Sequence, residues 1–131
     1  IPSIFAGDEI GIEGSWGEDA RRTINWDDRS GWDFEFMNEV KKLVSLRRTQ
    51  DALINGGLRW VKAENDYVVY LRESKKQSIL VLVSRGAIDA TIDLSEYGYS
   101  VSKTLYGEKV QGQSFRITSE GAIQGIWIVT R

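Results

Sequence analysis

Seven carboxylates crowd one glycine-rich stretch near the start of the chain: Asp8, Glu9, Glu13, Glu18, Asp19, Asp27 and Asp28. Two carboxyl groups set about 5–5.5 Å apart, or about 6.5–9.5 Å apart, can cleave a glycosidic bond with retention or inversion respectively. Asp8 and Glu9 follow a short apolar run, the place where a parallel barrel carries its functional groups. Neighbours on a strand point to opposite sides, however. The simpler reading is a set of solvated acids paired with Arg21, Arg22 and Arg29. The same oxygens offer a cation site, but the spacing is not that of a calcium loop. Trp16, Trp26 and Trp32 lie in the same stretch. An indole face stacks on sugar C–H groups while nearby charged groups bind hydroxyls. Trp16, between Gly14 and Gly17 and beside Asp19 and Arg21, suits a glycan subsite, with a purely structural role standing open beside it. Trp26 and Trp32 read as anchors of the loop.

Composition narrows the chemistry further. The 131 residues include no Cys and no His. Disulfides, thiolate nucleophiles, imidazole acid/base catalysis and Cys- or His-ligated metals are therefore excluded. Carboxylate chemistry and aromatic or polar binding surfaces survive, and no cofactor is expected. A net charge of −2, from 17 basic and 19 acidic residues, argues against a nucleic-acid partner. No run approaches the roughly 18 apolar residues of a membrane helix. The chain opens Ile-Pro-Ser-Ile-Phe, without an initiating Met or a signal peptide, which reads as a piece of a longer protein. The compartment stays open, with the cytoplasm preferred to secretion.

The elements that must position these residues are legible from periodicity. Ile1–Phe5 reads as a short buried strand, and residues 7–31 as a long loop. The spacing of Phe36, Met37, Val40, Leu43, Val44 and Leu46 predicts a helix from Asp33 to about Thr49, capped by Asp33. Arg47 falls inside that apolar arc, either paired with a carboxylate or snorkelling to solvent. Asn55-Gly56-Gly57 closes the helical part. Seven short runs then read as strands: 58–64, 67–74, 77–84, 88–94, 100–106, 114–118 and 122–130. They are separated by turn residues such as Asn65-Asp66, Lys75-Lys76 and Arg85-Gly86. Trp60, Tyr67, Tyr70 and Trp127 are expected in the core. Tyr97, Tyr99 and Tyr106, near turns, are candidates for a sugar-binding face. The fold class is α+β: a βα unit that must complete something larger, then an antiparallel β-sandwich. The expected boundary separates residues 1–55 from 56–131.

The stretches PSIFAGDEIGIEG and GEDARRTINWD, followed by a helix carrying VKKLVSLRR, resemble the α-amylase superfamily, glycoside hydrolase family 13. The look is nearest to its neopullulanase, cyclomaltodextrinase and α-glucosidase branches. In that family a Gly-x-Pro-x-x-x-Tyr-Gly-x-Glu segment forms the last strand of a (β/α)8 barrel. Pro2, Gly7 and Glu9 stand at its places, and Ala6 replaces the Tyr. A second family pattern, Asp-Pro-x-x-Arg-Arg/Lys-Pro-Met-x-Trp, is matched by Arg21, Arg22 and Trp26. Gly17 stands at its first acid, with Asp19 two residues on, and both prolines are replaced.

The resemblance implies that residues 1–55 are the last βα unit of the barrel and residues 56–131 the C-terminal sandwich, domain C. It implies an α-glucan or maltooligosaccharide substrate, bound in part through Arg21, Asp19 and Trp16. It also implies that the catalytic Asp, Glu and Asp lie on earlier barrel strands, so this chain holds no catalytic residue and is mainly structural. Its partner would be the rest of the barrel. The exposed apolar run Ile1–Phe5 would favour self-association into a homo-oligomer. The alternative is a non-catalytic glucan-binding or interaction module.

Overall fold

The computed structural model describes residues 3–19 and 21–131. Close Cα packing divides the chain into two compact units, 1–45 and 46–131.

In the first unit, glycine conformation shapes the loop. Gly7 and Gly11 take left-handed φ values of 98° and 71° and bracket a single 3₁₀ turn, Asp8–Ile10. A Cβ at Gly7 would stand 2.8 Å from the Ile12 side chain, so both the angle and the space demand glycine. The turn closes on itself through Ile12 N–H donating to the Gly7 carbonyl at 3.0 Å. Asp33 N–H reaches the Ile10 carbonyl at 3.0 Å and so ties the turn to the start of the helix. That helix, α1, runs Phe34–Thr49. The Asp33 carboxylate accepts from Phe36 N–H at 2.8 Å, the N-cap predicted from sequence. The apolar face of α1 is not buried: Phe34, Phe36 and Val44 are 48%, 47% and 38% exposed. Arg47 is half-buried and joins no ion pair among the described residues.

The strand expected over Ile1–Phe5 falls partly on Ile1 and Pro2, outside the described residues. Residues 3–5 form no strand. The physical reason is that a β-strand needs a ladder partner, and the first unit has no strand among its described residues.

The second unit is an antiparallel β-sandwich preceded by a short helix, α2, Asp51–Asn55. Its strands are β1 Gly57–Ala63, β2 Tyr67–Glu73, β3 Ser78–Ser84, β4 Ile88–Asp93, β5 Ser100–Tyr106, β6 Ser114–Ser119 and β7 Ile123–Thr130. They match the seven predicted runs to within a residue or two at each end. Five strands form one sheet in the order β1-β2-β3-β7-β5, and β4 pairs with β6 in the other. From β3 to β7 the chain changes sheet at every connection. Asn65-Asp66 and Lys75-Lys76 make the hairpin turns, closed by Glu64 N–H to Tyr67 O and Ser74 N–H to Gln77 O, both at 2.9 Å.

The core lies between the sheets. Val69, Leu71, Leu80, Leu82, Trp127 and Val129 face Ile88, Ala90, Ile92 and Ile117 from the smaller sheet. The outer faces differ sharply. On the small sheet, Asp89, Thr91, Asp93, Arg116 and Thr118 are exposed, and Arg116 forks onto Asp89 with two contacts of 2.7 Å. On the five-stranded sheet, the outward row Trp60, Tyr70, Val81 and Ile126 is apolar across four neighbouring strands.

This register corrects the expected placement of Trp60. It is 55% exposed because it points outward from an edge strand and meets Tyr70 edge-on at 5.7 Å. Tyr67 and Tyr70 are half-buried, and of the four expected core aromatics Trp127 alone is fully buried. Both edges of the large sheet are interrupted. β1 carries an irregularity between Trp60 and Lys62, and β5 carries two, at Val101/Lys103 and Thr104/Tyr106. Bulges and basic side chains at an edge oppose strand addition by another chain.

Candidate functional site

The loop that the sequence singles out is built from local hydrogen bonds. The Asp8 carboxylate accepts from Phe5 N–H at 3.1 Å, and the Glu9 carboxylate from Gly7 N–H at 3.0 Å. Both acids thus hold the Gly7 turn rather than meeting as a reactive pair. Further on, Asn25 accepts from the N–H groups of Asp27 and Asp28 at 3.1 Å each, and Asp28 accepts from Ser30 N–H at 3.0 Å. Asn and Asp side chains favour such turns because they bond backbone two residues on.

Asp19 is the best-connected acid of the loop. Its carboxylate accepts from Ser15 N–H at 2.9 Å and from the Ser15 hydroxyl at 3.0 Å. The Arg22 guanidinium forks onto it, with contacts of 2.8, 3.0 and 3.2 Å. Hydrogen bonds from Arg22, then from Ser15, stabilise the charged form and bring its pKa down to about 2. The residue that pairs with Asp19 is therefore Arg22, one of the arginines expected to pair with the loop acids. Arg21 is exposed and donates its backbone N–H to the Glu18 carbonyl at 3.0 Å. Trp16 follows Ser15 directly and is 61% exposed. The Ser15–Asp19–Arg22 tie thus closes a small loop with Trp16 at its surface.

Arg29 does not reach a loop acid. Its guanidinium lies 5.0 Å from the Trp32 ring centroid, and its Nε–H donates to the Trp26 carbonyl at 3.4 Å. Trp26 meets Trp32 edge-on at 5.5 Å, and Trp32 lies 6.0 Å from Phe34. Trp32 is half-buried, whereas Trp26 is 62% exposed. Of the three tyrosines considered as a sugar-binding face, Tyr99 is 5% exposed and part of the core. Tyr97 packs against that core. Tyr99 donates to Glu73 at 2.8 Å, and its hydroxyl also meets the Ser78 hydroxyl at 3.0 Å, so its polar end serves the sandwich. Among the described residues, no cluster of three or more acids has the geometry to hold a metal ion.

Within six residues this loop presents the exposed indole of Trp16, the ionised Asp19 carboxylate paired with Arg22, and the exposed Arg21.

Known proteins place this loop and sandwich in context. No family model matches the chain. It is 32% identical over 96 residues to the cyclomaltodextrinase of Thermoanaerobacter pseudethanolicus, an alignment covering 73% of this chain and 17% of that protein. It is 25% identical over 117 residues to the cyclomaltodextrinase of Geobacillus thermopakistaniensis, covering 86% and 20%. In fold it is similar to an Anoxybacillus α-amylase, with a TM-score of 0.73 at 22% identity, covering 94% of this chain and 27% of that one. The chain spans about a fifth or less of the curated relatives it matches. Over about three quarters of its length or more the chain is thus a homologue of cyclomaltodextrinases, and it shares its fold with part of an α-amylase.

Proposed function

We propose that the chain is the C-terminal part of a retaining, α-glucan-active glycosidase, with residues 1–55 closing a (β/α)8 barrel and residues 56–131 forming its domain C. The kinship with cyclomaltodextrinases carries this reading and gives maltodextrins as the substrate class. The role of this part is structural. Two features support that. Both faces of the five-stranded sheet are apolar, as in sheets covered on both sides. The apolar side of α1 is exposed where a barrel wall would lie against it. Cleavage in the whole enzyme would run through a covalent glycosyl intermediate on carboxylates outside this chain.

The pure chain is therefore expected to release no reducing sugar from maltooligosaccharides. Sequencing the gene upstream of the Ile1 codon should reveal a barrel with Asp, Glu and Asp at successive strand ends. Measurable turnover by the pure chain, or an upstream barrel without those carboxylates, would overturn the reading.

A second role is favoured by one observation, the exposed Trp16 on the loop closed by Ser15, Asp19 and Arg22. In this reading Trp16 stacks on a glucose ring while Arg21 and Asp19 meet its hydroxyls. Titration with maltoheptaose, followed by tryptophan fluorescence, should then saturate, and Trp16→Ala should abolish the response. A flat titration leaves the structural role alone.

A further inference from the structure

The helix α2 has only five residues, too few to be stable by itself. Its N-cap residue, Gln50, is extended and gives no side-chain cap. The missing cap comes from far along the chain. Gln77, in the β2–β3 turn, accepts from Ala52 N–H at 3.1 Å through its side-chain oxygen. Its side-chain nitrogen donates to the Gln50 side-chain oxygen at 2.7 Å. The Ser74 hydroxyl donates to the Asp51 carboxylate while accepting from Gln77 N–H at 3.1 Å. At the other end of α2, Arg72 donates to the Gly56 carbonyl at 2.7 Å. Gly56 itself admits no side chain, because a Cβ there would lie 2.4 Å from the Ala52 carbonyl and 2.9 Å from Glu73 N. Ala52 and Leu53 are buried against this hairpin. Only Gln50 separates α2 from the end of α1, and the last turn of α1, from Leu46, already belongs to the compact unit of the sandwich.

We infer that Gln77 is the pin of a clamp that makes residues 46–56 part of the cooperative unit of the β-sandwich, so that this helical segment opens only when the β2–β3 hairpin opens. Side-chain bonds from one turn hold a helix 23–27 residues earlier, as the separations of their partners record. The inference rests on contacts within residues 46–131 and is independent of the catalytic reading.

The test is amide hydrogen exchange on this chain. In the wild type, the amides of Ala52, Leu53, Ile54 and Gly56 should exchange at the same limiting rate as those of Val69 and Leu80 under conditions where global opening dominates. In Gln77→Ala, they should exchange about tenfold faster or more while Val69 and Leu80 stay protected, because a sub-global opening has been released. Trypsin cleavage at Arg47 and Arg48 should accelerate in parallel. Gln111→Ala, in a remote exposed loop, should change neither readout. The proposal is overturned if α2 already exchanges much faster than β2 and β3 in the wild type. It is equally overturned if Gln77→Ala leaves α2 unchanged, or speeds both sets together. Should Gln77→Ala not fold, the wild-type comparison and Ser74→Ala decide in the same way.

Discussion

The indole of Trp127 lies directly across Gly125, two residues earlier on the same strand: a Cβ at position 125 would fall 1.8 Å from the ring. The ring is 1% exposed, lies 5.6 Å from the Phe115 ring, and its Nε1–H donates to the Glu108 carbonyl at 2.8 Å. The small residue and the large one therefore fill one site between the sheets. Gly125→Ala should destabilise the sandwich by about 3 kcal/mol, the upper end of ordinary overpacking costs, since the fixed ring cannot step aside. Urea unfolding with an unchanged slope would measure it. A loss below about 0.5 kcal/mol, the range of an innocuous surface change, would contradict this account.

The two faces of the five-stranded sheet should respond differently to truncation. Leu80 is fully buried between the sheets, whereas Trp60 is 55% exposed on the outer face. Leu80→Ala should cost about 2–5 kcal/mol. Trp60→Ser should cost below about 1.5 kcal/mol, the value of its edge-on contact with Tyr70. Thermal unfolding of both variants checks the ranking, and equal losses would place Trp60 in a buried environment instead.

Asp19 should titrate far below an ordinary carboxyl. Its pKa is about 2 in the folded chain, because Arg22 and Ser15 bind the charged form. Depression of a folded-state pKa means that the loop is favoured at and above the unfolded value, near 3.9. That contribution fades as the pH falls from there through about 2. Carboxyl-detected NMR should find the Asp19 midpoint near 2, and Arg22→Ala should move it upward. A midpoint at the ordinary value in the wild type would mean that the pair does not form.

The helix cap offers a further check. Asp33 caps α1 through Phe36 N–H, and its own N–H holds the Ile10 carbonyl. Asp33→Ala should cost about 1 kcal/mol of helix stability while leaving the backbone bond to Ile10 available. Circular dichroism at 222 nm during thermal unfolding reads the loss, and an unchanged melting curve would rule the cap out as a stabilising element.

Much of the fold was readable from local pattern. Alternation in Tyr67, Val69 and Leu71, and two-residue turns at Asn65-Asp66 and Lys75-Lys76, fix strand positions because a pleat repeats every two residues and a hairpin needs turn residues at its tip. Asp33 announced its helix for a similarly local reason, since a cap acts over three residues. The candidate site was legible only as composition. Asp19, Arg21, Arg22 and Arg29 were all visible, but which guanidinium reaches which carboxylate depends on how the loop closes, and Ser15 turned Asp19 toward Arg22.

Other features lay wholly with the tertiary structure. Trp60 and Trp127 look alike in sequence, each an aromatic within apolar alternation. Register decides between them, because one sits outward on an edge strand and the other inward on a strand flanked by β3 and β5. The pairing of Gln77 with α2 has no local signature, since its two ends lie 25 residues apart and meet only when the β2–β3 hairpin folds back against the helix. By itself, then, the sequence determined the seven sandwich strands and α1, the excluded chemistries and the resemblance to the α-amylase superfamily, all carried by residue type and short-range spacing. The tertiary structure decided sheet order, which face of each strand is inside, and which charges pair, because those depend on contacts between residues far apart in the chain.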